Sequence, residues 1–263
     1  LGLIEIKQSK IGSRANEGLR LTEELSSPVD ITHVHNILGA AHLRDGNYEK
    51  ANEHFEKCLQ REEALEHLPG MTTSFYNPGL VACQRGTYSK ALEYYQKTLD
   101  LRRRVGDVLR IGTSINSLGR VYHSLNQLED AIEYYRESVE FREEIKHTAG
   151  VAVTLENLGR ALLEKGNYGE SIKTLQKSLE TGEQIQAPGR MSGAHLSLAC
   201  TLAAMDEYEE ARKCAEKSAK TNYGQSEMDG EIKTILKRLE TVFPNDLSNE
   251  KRVRDRSPLY GGV

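Results

Sequence analysis

Residues 155–179 read LENLGRALLEKGNYGESIKTLQKSL. Two glycines with lysine and serine close by have the composition of a phosphate-binding loop. Such a loop needs a strand before it and the spacing G-x-x-x-x-G-K-[ST]. No Val/Ile-rich strand precedes Leu158, and the spacing is absent. The glycines therefore have another explanation, and the rest of the chain supplies it.

Written in forties from Ile31, the chain aligns with itself without a gap as 31–70, 71–110, 111–150, 151–190 and 191–230. The eighth and ninth places hold Leu38-Gly39, Pro78-Gly79, Leu118-Gly119, Leu158-Gly159 and Leu198-Ala199. Tyr48, Tyr88, Leu128, Tyr168 and Tyr208 stand at the eighteenth place, and Ala51, Ala91, Ala131, Ser171 and Ala211 at the twenty-first. Phe55, Tyr95, Tyr135, Leu175 and Ala215 fill the twenty-fifth. Self-similarity at a fixed period of this size marks stacked supersecondary units. Gly46, Gly86 and Gly166, with Asn126 and Asp206 in the same place, fall between two helical patterns as turn residues. Gly39, Gly79, Gly119 and Gly159 lie inside the first helix, where glycine costs about 1 kcal/mol against alanine. A repeated cost implies close helix approach, expected opposite the small residue at place twenty-one.

Each unit reads as helix A over places 1–14, a tight turn, and a longer helix B over places 18–36. Pro69-Gly70, Gly106-Asp107, Lys146-His147-Thr148 and Pro188-Gly189 mark the breaks between units. Pro78 is expected to kink helix A of the second unit or delay its start. Residues 231–243, EIKTILKRLETVF, have the amphipathic pattern of a capping helix, and 244–263 have no periodicity and read as a disordered tail.

The set L-G-x2-Y-like followed by G-x-Y-x2-A-x3-[FY]-x2-A/S resembles the tetratricopeptide repeat over about residues 1–242. Forty residues exceed the 34 of the common repeat by six, which predicts the longer helix B. Repeats this long are similar to those of G-protein-signalling modulators of the Pins type, kinesin light chains and the sensor arrays of signalling ATPases. The resemblance implies an all-α, right-handed superhelical solenoid of antiparallel helix hairpins. Leu1-Gly2 matches the Leu-Gly pair of a preceding unit, so residues 1–30 read as a partial repeat, and the expectation is an excerpt of a longer array. A cut N-terminal face of that kind would be prone to self-association.

The resemblance also points to where function sits. Tetratricopeptide arrays bind peptides or helices on the concave face lined by A helices, at places 3, 6, 10, 13 and 14 here. Arg120 and Arg160 share place ten in adjacent units, and two guanidinium forks there suit one acidic segment or a chain-terminal carboxylate. Asn36 and Asn116 are candidates to read a ligand backbone, Tyr76 and Leu80 to give apolar contact, and His123 and Glu156 to complete the groove. The opposing reading has both arginines solvated or paired with Glu156 and Glu164. Asn77 and Asn157, at place seven, read as polar filler.

Composition sets further bounds. A net charge of −4 and pI near 6.1 argue against nucleic-acid binding. No apolar run is long enough for a transmembrane helix. Cys58, Cys83, Cys200 and Cys214 have no short paired spacing, which fits free thiols and the cytoplasm. Cys83 and His123 share place 13 in neighbouring units and would be the nucleophilic pair of an enzyme, but no orienting third residue accompanies them. His33, His35 and His42 look like metal ligands only by count, and His35 and His42, where the resembled repeat puts core aromatics, read as packed histidines. The sequence thus predicts a non-catalytic protein-binding scaffold without cofactor or metal. The alternatives are a sensor segment of a larger signalling NTPase or G-protein modulator and, remotely, a Cys/His enzyme.

Overall fold

The computed structural model describes residues 28–187, 191–221 and 226–242. Of the partial repeat expected over residues 1–30, residues 1–27 lie outside them, and so do the last residue of the expected capping helix and the tail expected over 244–263. Eleven α-helices follow one another among the described residues, with no strand. They divide into two compact units that meet at Leu125–Asn126, between the two helices of the third forty-residue segment.

The first unit holds α1 (Pro28–Arg44), α2 (Tyr48–Ala64), α3 (Leu68–Gln84), α4 (Tyr88–Val105) and α5 (Val108–Ser124). Each packs on the next, and α1 also touches α3. The second unit holds α6 (Leu128–Glu144), α7 (Thr148–Glu164), α8 (Tyr168–Gln184), α9 (Met191–Ala204), α10 (Tyr208–Thr221) and α11 (Ser226–Val242). Successive helices again pack together, and α9 additionally contacts α7 and α11.

The helices end where the backbone turns left-handed. Gly46, Gly86, Asn126, Gly166 and Asp206 have positive φ at place 16 of each segment. Glu66, Gly106, Lys146 and Gln186 have it at place 36. Around Gly166, Asn167 N–H bonds the Leu162 carbonyl at 2.8 Å and Gly166 N–H bonds Leu163 at 2.9 Å. That pair of bonds is the Schellman arrangement, which satisfies carbonyls the helix leaves open. The same pair closes α2 through His67 and Glu66, and α6 through His147 and Lys146.

This geometry corrects the expected boundaries. Helix A starts three residues before each forty-residue segment and runs 17 residues in α1, α3, α5 and α7, while α2, α6 and α8 also run 17. The extra length is shared between A and B and does not fall to B alone. Pro69 and Gly70 sit in the first turn of α3, where proline removes no helical bond. The turn itself is at Glu66-His67. Pro78 neither delays nor shortens α3, which spans Leu68–Gln84.

The glycines of place nine meet a different partner from the one expected. A Cβ on Gly79 would lie 2.7 Å from the Tyr95 ring, and one on Gly159 would lie 2.5 Å from Leu175 Cγ. On Gly39 it would overlap the Phe55 ring. The space therefore serves the large side chain at place 25. The small place-21 residue lies beside the same backbone, where Ser171 Oγ donates to the Gly159 carbonyl at 2.8 Å. Phe55 and Tyr95 are buried in the first unit, and Ala51, Phe55 and Val81 pack together there. Leu175, Leu198, Leu202, Ala211 and Leu239 belong to the core of the second, to which α11 contributes Leu239.

Candidate recognition face of the A helices

In the first unit, two polar rungs join neighbouring A helices. Asn77 Nδ2 donates to Asn36 Oδ1 at 3.0 Å, linking α3 to α1. The Tyr76 hydroxyl and Ser117 Oγ, on α3 and α5, share a hydrogen bond of 3.2 Å. Each rung joins place six of one segment to place seven of the next. Asn77 is therefore no mere filler, and part of the hydrogen-bonding capacity of Asn36 is engaged within the protein.

Tyr76 is fixed on more than its hydroxyl. Its ring tilts against Tyr95 with centroids 5.3 Å apart, and the Arg102 guanidinium carbon stands 4.8 Å from its centroid. A desolvated cation over an aromatic ring contributes up to about 2 kcal/mol. Leu80 is half-buried, as are Cys83 and His123, while Asn116 is buried and Arg120 exposed. Cys83 Sγ donates to the Tyr95 hydroxyl at 3.7 Å. Burial pushes the Cys83 thiol up, with the Tyr95 bond and the nearby Arg120 charge opposing. A thiol raised in this way is not an activated nucleophile, so the chemistry expected of a Cys83–His123 pair has no support here.

In the second unit, Glu156 is half-buried and Arg160 exposed. A Cβ on Gly193 would overlap the Glu156 carboxylate, so this side chain lies on the α9 backbone. Burial raises the Glu156 carboxyl above the usual range, and the Arg160 charge works against that. Part of the opposing reading thus holds: Arg160 feels Glu156 electrostatically, yet remains open to solvent. Arg120 and Arg160 belong to different units, and each is exposed on its own.

The sequence reading missed the arginines at place 32. Arg102 and Arg142 are 3% and 4% exposed. Arg102 Nη1 donates to the Arg110 carbonyl at 3.0 Å and to Ser114 Oγ at 2.8 Å. Arg142 Nη1 does the same to the Gly150 carbonyl at 2.5 Å and Thr154 Oγ1 at 2.8 Å. Each arginine joins the end of a B helix to the start of the next A helix. The signal was present: arginine at the same place in consecutive segments, with a hydroxyl residue twelve positions on. At the equivalent place, Glu62 is buried and accepts a bond from His67 Nδ1 at 2.6 Å, and the hydroxyl of the equivalent Ser74 has no partner among the described residues.

A shallow groove along α6, lined by Glu129, Glu133, Glu137 and Glu140 with Arg136 and Lys165, contains none of the residues expected to read a ligand. Its cations are paired, Arg136 with Glu170 and Lys165 with Glu129. Among the described residues no cluster of three His, Cys, Asp or Glu side chains is placed to hold a metal, and no helix is long and apolar enough to cross a membrane. All four cysteines are free.

Helix hairpins with a forty-residue period, a Leu-Gly pair under a large place-25 residue and left-handed turns define a class, the helical-repeat arrays. Family comparison specifies it further. Tetratricopeptide repeat patterns match residues 70–144 and 150–221, and a related one matches 33–65, so the chain belongs to the tetratricopeptide repeat family. No curated protein sequence matches it. BtubC (BKLC) from P. vanneervenii is similar at 18% identity and a TM-score of 0.71, with 95% of this chain and 99% of that one covered. A STAND signal-transduction ATPase with a tetratricopeptide repeat sensor, from Pyrococcus horikoshii, matches at 17% identity and a TM-score of 0.75, covering 93% of this chain and 38% of that one. The quorum sensor NprR from B. thuringiensis matches in its apo form at 18% identity and a TM-score of 0.70, covering 91% and 68%. NprR with its cognate peptide NprX also matches, at 17% identity and a TM-score of 0.63, covering 86% of this chain and 66% of that one. At these identities the likeness is one of fold.

Proposed function

We propose that this chain is a non-catalytic recognition array that holds a peptide or helical segment of another protein against its A helices. The observation that carries the reading is the exposed arginine at the same place of consecutive A helices, Arg120 and Arg160, in a family of repeat arrays. Each arginine, taken within its own unit, is suited to an acidic side chain or a chain-terminal carboxylate of a ligand, because its planar fork allows bidentate pairing. Tyr76, held by Ser117, Arg102 and Tyr95, supplies a pre-set aromatic edge, and Leu80 an apolar contact beside it. In the first unit Asn116 and His123 complete the face and Asn36 offers what its bond to Asn77 leaves over; in the second unit Glu156 stands beside Arg160. Preorganised side chains of this kind lower the ordering cost of binding. Free thiols and the absence of a spanning helix among the described residues fit a cytoplasmic setting.

The test is selection from a displayed peptide library, followed by titration of the recovered peptides. The comparison is with an Arg120→Glu/Arg160→Glu double variant of equal helicity. Recovered peptides rich in Asp/Glu or needing a free carboxylate, and bound at least ~10-fold more weakly by the variant, are the expected result; tenfold is about 1.4 kcal/mol. Equal binding by both proteins would rule the arginines out as anchors.

A second reading rests on the likeness to the STAND ATPase with a tetratricopeptide repeat sensor, 38% of whose chain is covered. Here the same array is the sensor segment of a larger signalling NTPase. A phosphate-binding loop encoded upstream in the gene would favour it, and an upstream reading frame without one would count against it.

A further inference from the structure

In the second unit, one charged side chain of the A-helix face stands without a counterpart. Glu156 is at place six of α7, and its carboxylate lies on the α9 backbone, where a Cβ on Gly193 would overlap both Cδ and Oε1. A glycine at residue 193 leaves the room that this arrangement needs. Glu156 and Arg160 are four residues apart on α7, the spacing at which Glu and Arg commonly pair along a helix. Here they do not. Among the described residues no ion pair or hydrogen bond engages the carboxylate, and Arg160 acts on it only as a nearby charge.

Helix α9 brings nothing to neutralise it. The helix reads MSGAHLSLACTLAA and contains no Asp, Glu, Lys or Arg. Its one histidine, His195, is buried, and its charged neighbours are Lys217 on α10 and Glu183 on α8. The face of α9 that continues from Gly193 holds Leu196, Cys200 and Ala204, at helical spacings of three, seven and eleven. Leu196 is buried, and Cys200 and Ala204 are half-buried. A carboxylate covered in this way gives up water without gaining a donor, which costs stability. The arrangement is half of an ion pair at the end of an apolar strip.

We propose that Glu156 anchors a lysine or arginine side chain of the segment bound by the second unit, whose methylene stem lies along Leu196, Cys200 and Ala204. This rests on the recognition reading above and sharpens it: the segment carries a basic residue for Glu156 beside the acidic group for Arg160. Lysine and arginine each join a long apolar stem to a cationic head, which matches an apolar strip ending at a carboxylate. The N–H groups of the head donate to Glu156 in a charge-assisted bond. A chain-terminal ammonium has no such stem and would leave the strip bare.

The test uses peptides selected on the full chain from a displayed random library. Each is synthesised unmodified, N-acetylated, and with its Lys and Arg residues replaced in turn by norleucine. Calorimetric titration then compares the parent with Glu156→Gln, which keeps the shape of the side chain and removes its charge. Norleucine at the anchoring position should weaken binding to the parent on the order of 10-fold, as expected for a hydrogen bond between charged groups. The same replacement should change little in Glu156→Gln, and acetylation should change neither. Glu156→Gln should melt no lower than the parent, so that weaker binding does not report unfolding. Recovered peptides without a basic residue, equal losses in both proteins, or a loss on acetylation alone would overturn the assignment. If such peptides are still released by Arg120→Glu/Arg160→Glu, the recognition face stands without Glu156. A library that yields no binder overturns both.

Discussion

The tight approach at place nine is open to quantitative test through Gly159→Ala. On helix propensity alone, this change stabilises α7 by about 1 kcal/mol. The packing opposes it. The new Cβ would sit 2.5 Å from Leu175 Cγ and 2.6 Å from its Cδ2, whereas carbon atoms rest at about 3.5–4.0 Å. Leu175 is fully buried among Leu179, Leu202 and Ala211, and the near atom is the branch carbon, which does not swing away as a chain end would. Overpacking of this kind costs about 1–3 kcal/mol, occasionally more. The bond from Ser171 to the Gly159 carbonyl is also strained by any shift of α7. Subtracting the propensity gain of about 1 kcal/mol leaves a net loss of up to about 2 kcal/mol. Urea unfolding followed by helical circular dichroism reads this directly, with a constant slope checking that the transition keeps its character. Leu175→Ala in the same chain makes room, so the double variant should show a coupling of about 1–2 kcal/mol. Gly166→Ala provides the contrast: φ is +85° with nothing within 4 Å, so its cost is backbone strain, and Leu175→Ala should leave it unchanged. A Gly159→Ala variant that is more stable than the parent, or additive with Leu175→Ala, would refute the packing explanation.

Three further outcomes follow from the same structure. Thr154→Val removes the hydroxyl that accepts from Arg142 while keeping the shape, and should cost about 1.5–3 kcal/mol, the range for a bond to a charged donor, in the same unfolding assay. Lys146 holds φ 56° without being glycine, so Lys146→Gly should raise stability by up to about 1 kcal/mol, read as a shift in unfolding midpoint at constant slope. Glu156 has a carboxyl pKa raised by burial, so the folded state favours its protonated form; its contribution is best at low pH and worsens as pH rises through the unfolded value. Glu156→Gln should therefore raise the melting temperature at pH 7 more than at pH 4, and an equal change at both would count against the assignment.

Much of the architecture was legible in the sequence because it repeats. The Leu-Gly pair, the place-25 residue and the glycines of place 16 each recur, and a recurring backbone requirement shows as a recurring residue. The boundary at place 36 was harder to see, since Glu66, Lys146 and Gln186 hold a left-handed conformation that their residue types do not advertise. Pro69-Gly70 looked like the turn, although its proline belongs to the first turn of a helix. Arg102 was hidden by composition: in the run RRR at 102–104 it reads as solvated surface, yet it is buried while Arg103 and Arg104 are exposed. The candidate face was readable as positions only. Arg120 and Arg160 are exposed, but the rungs that occupy Asn36 and Tyr76 depend on which side chains meet across two helices, and spacing within one helix carries no such information.

The buried residues at place 32 bear on how an array of this kind changes over generations. Equal forty-residue lengths make it easy for a gene to lose or gain one segment through unequal recombination, and the backbone register would survive. The contents of each joint would not be equivalent. Glu62 with His67, the arginine clasps of Arg102 with Ser114 and Arg142 with Thr154, and Gly182 against Met191 fill one position in three different ways. Duplicating the fourth segment would repeat a joint with glycine at place 32, and deleting the second or third would discard an arginine clasp. The segments are alike in length yet tied to their neighbours, so the order in which they stand is itself inherited information.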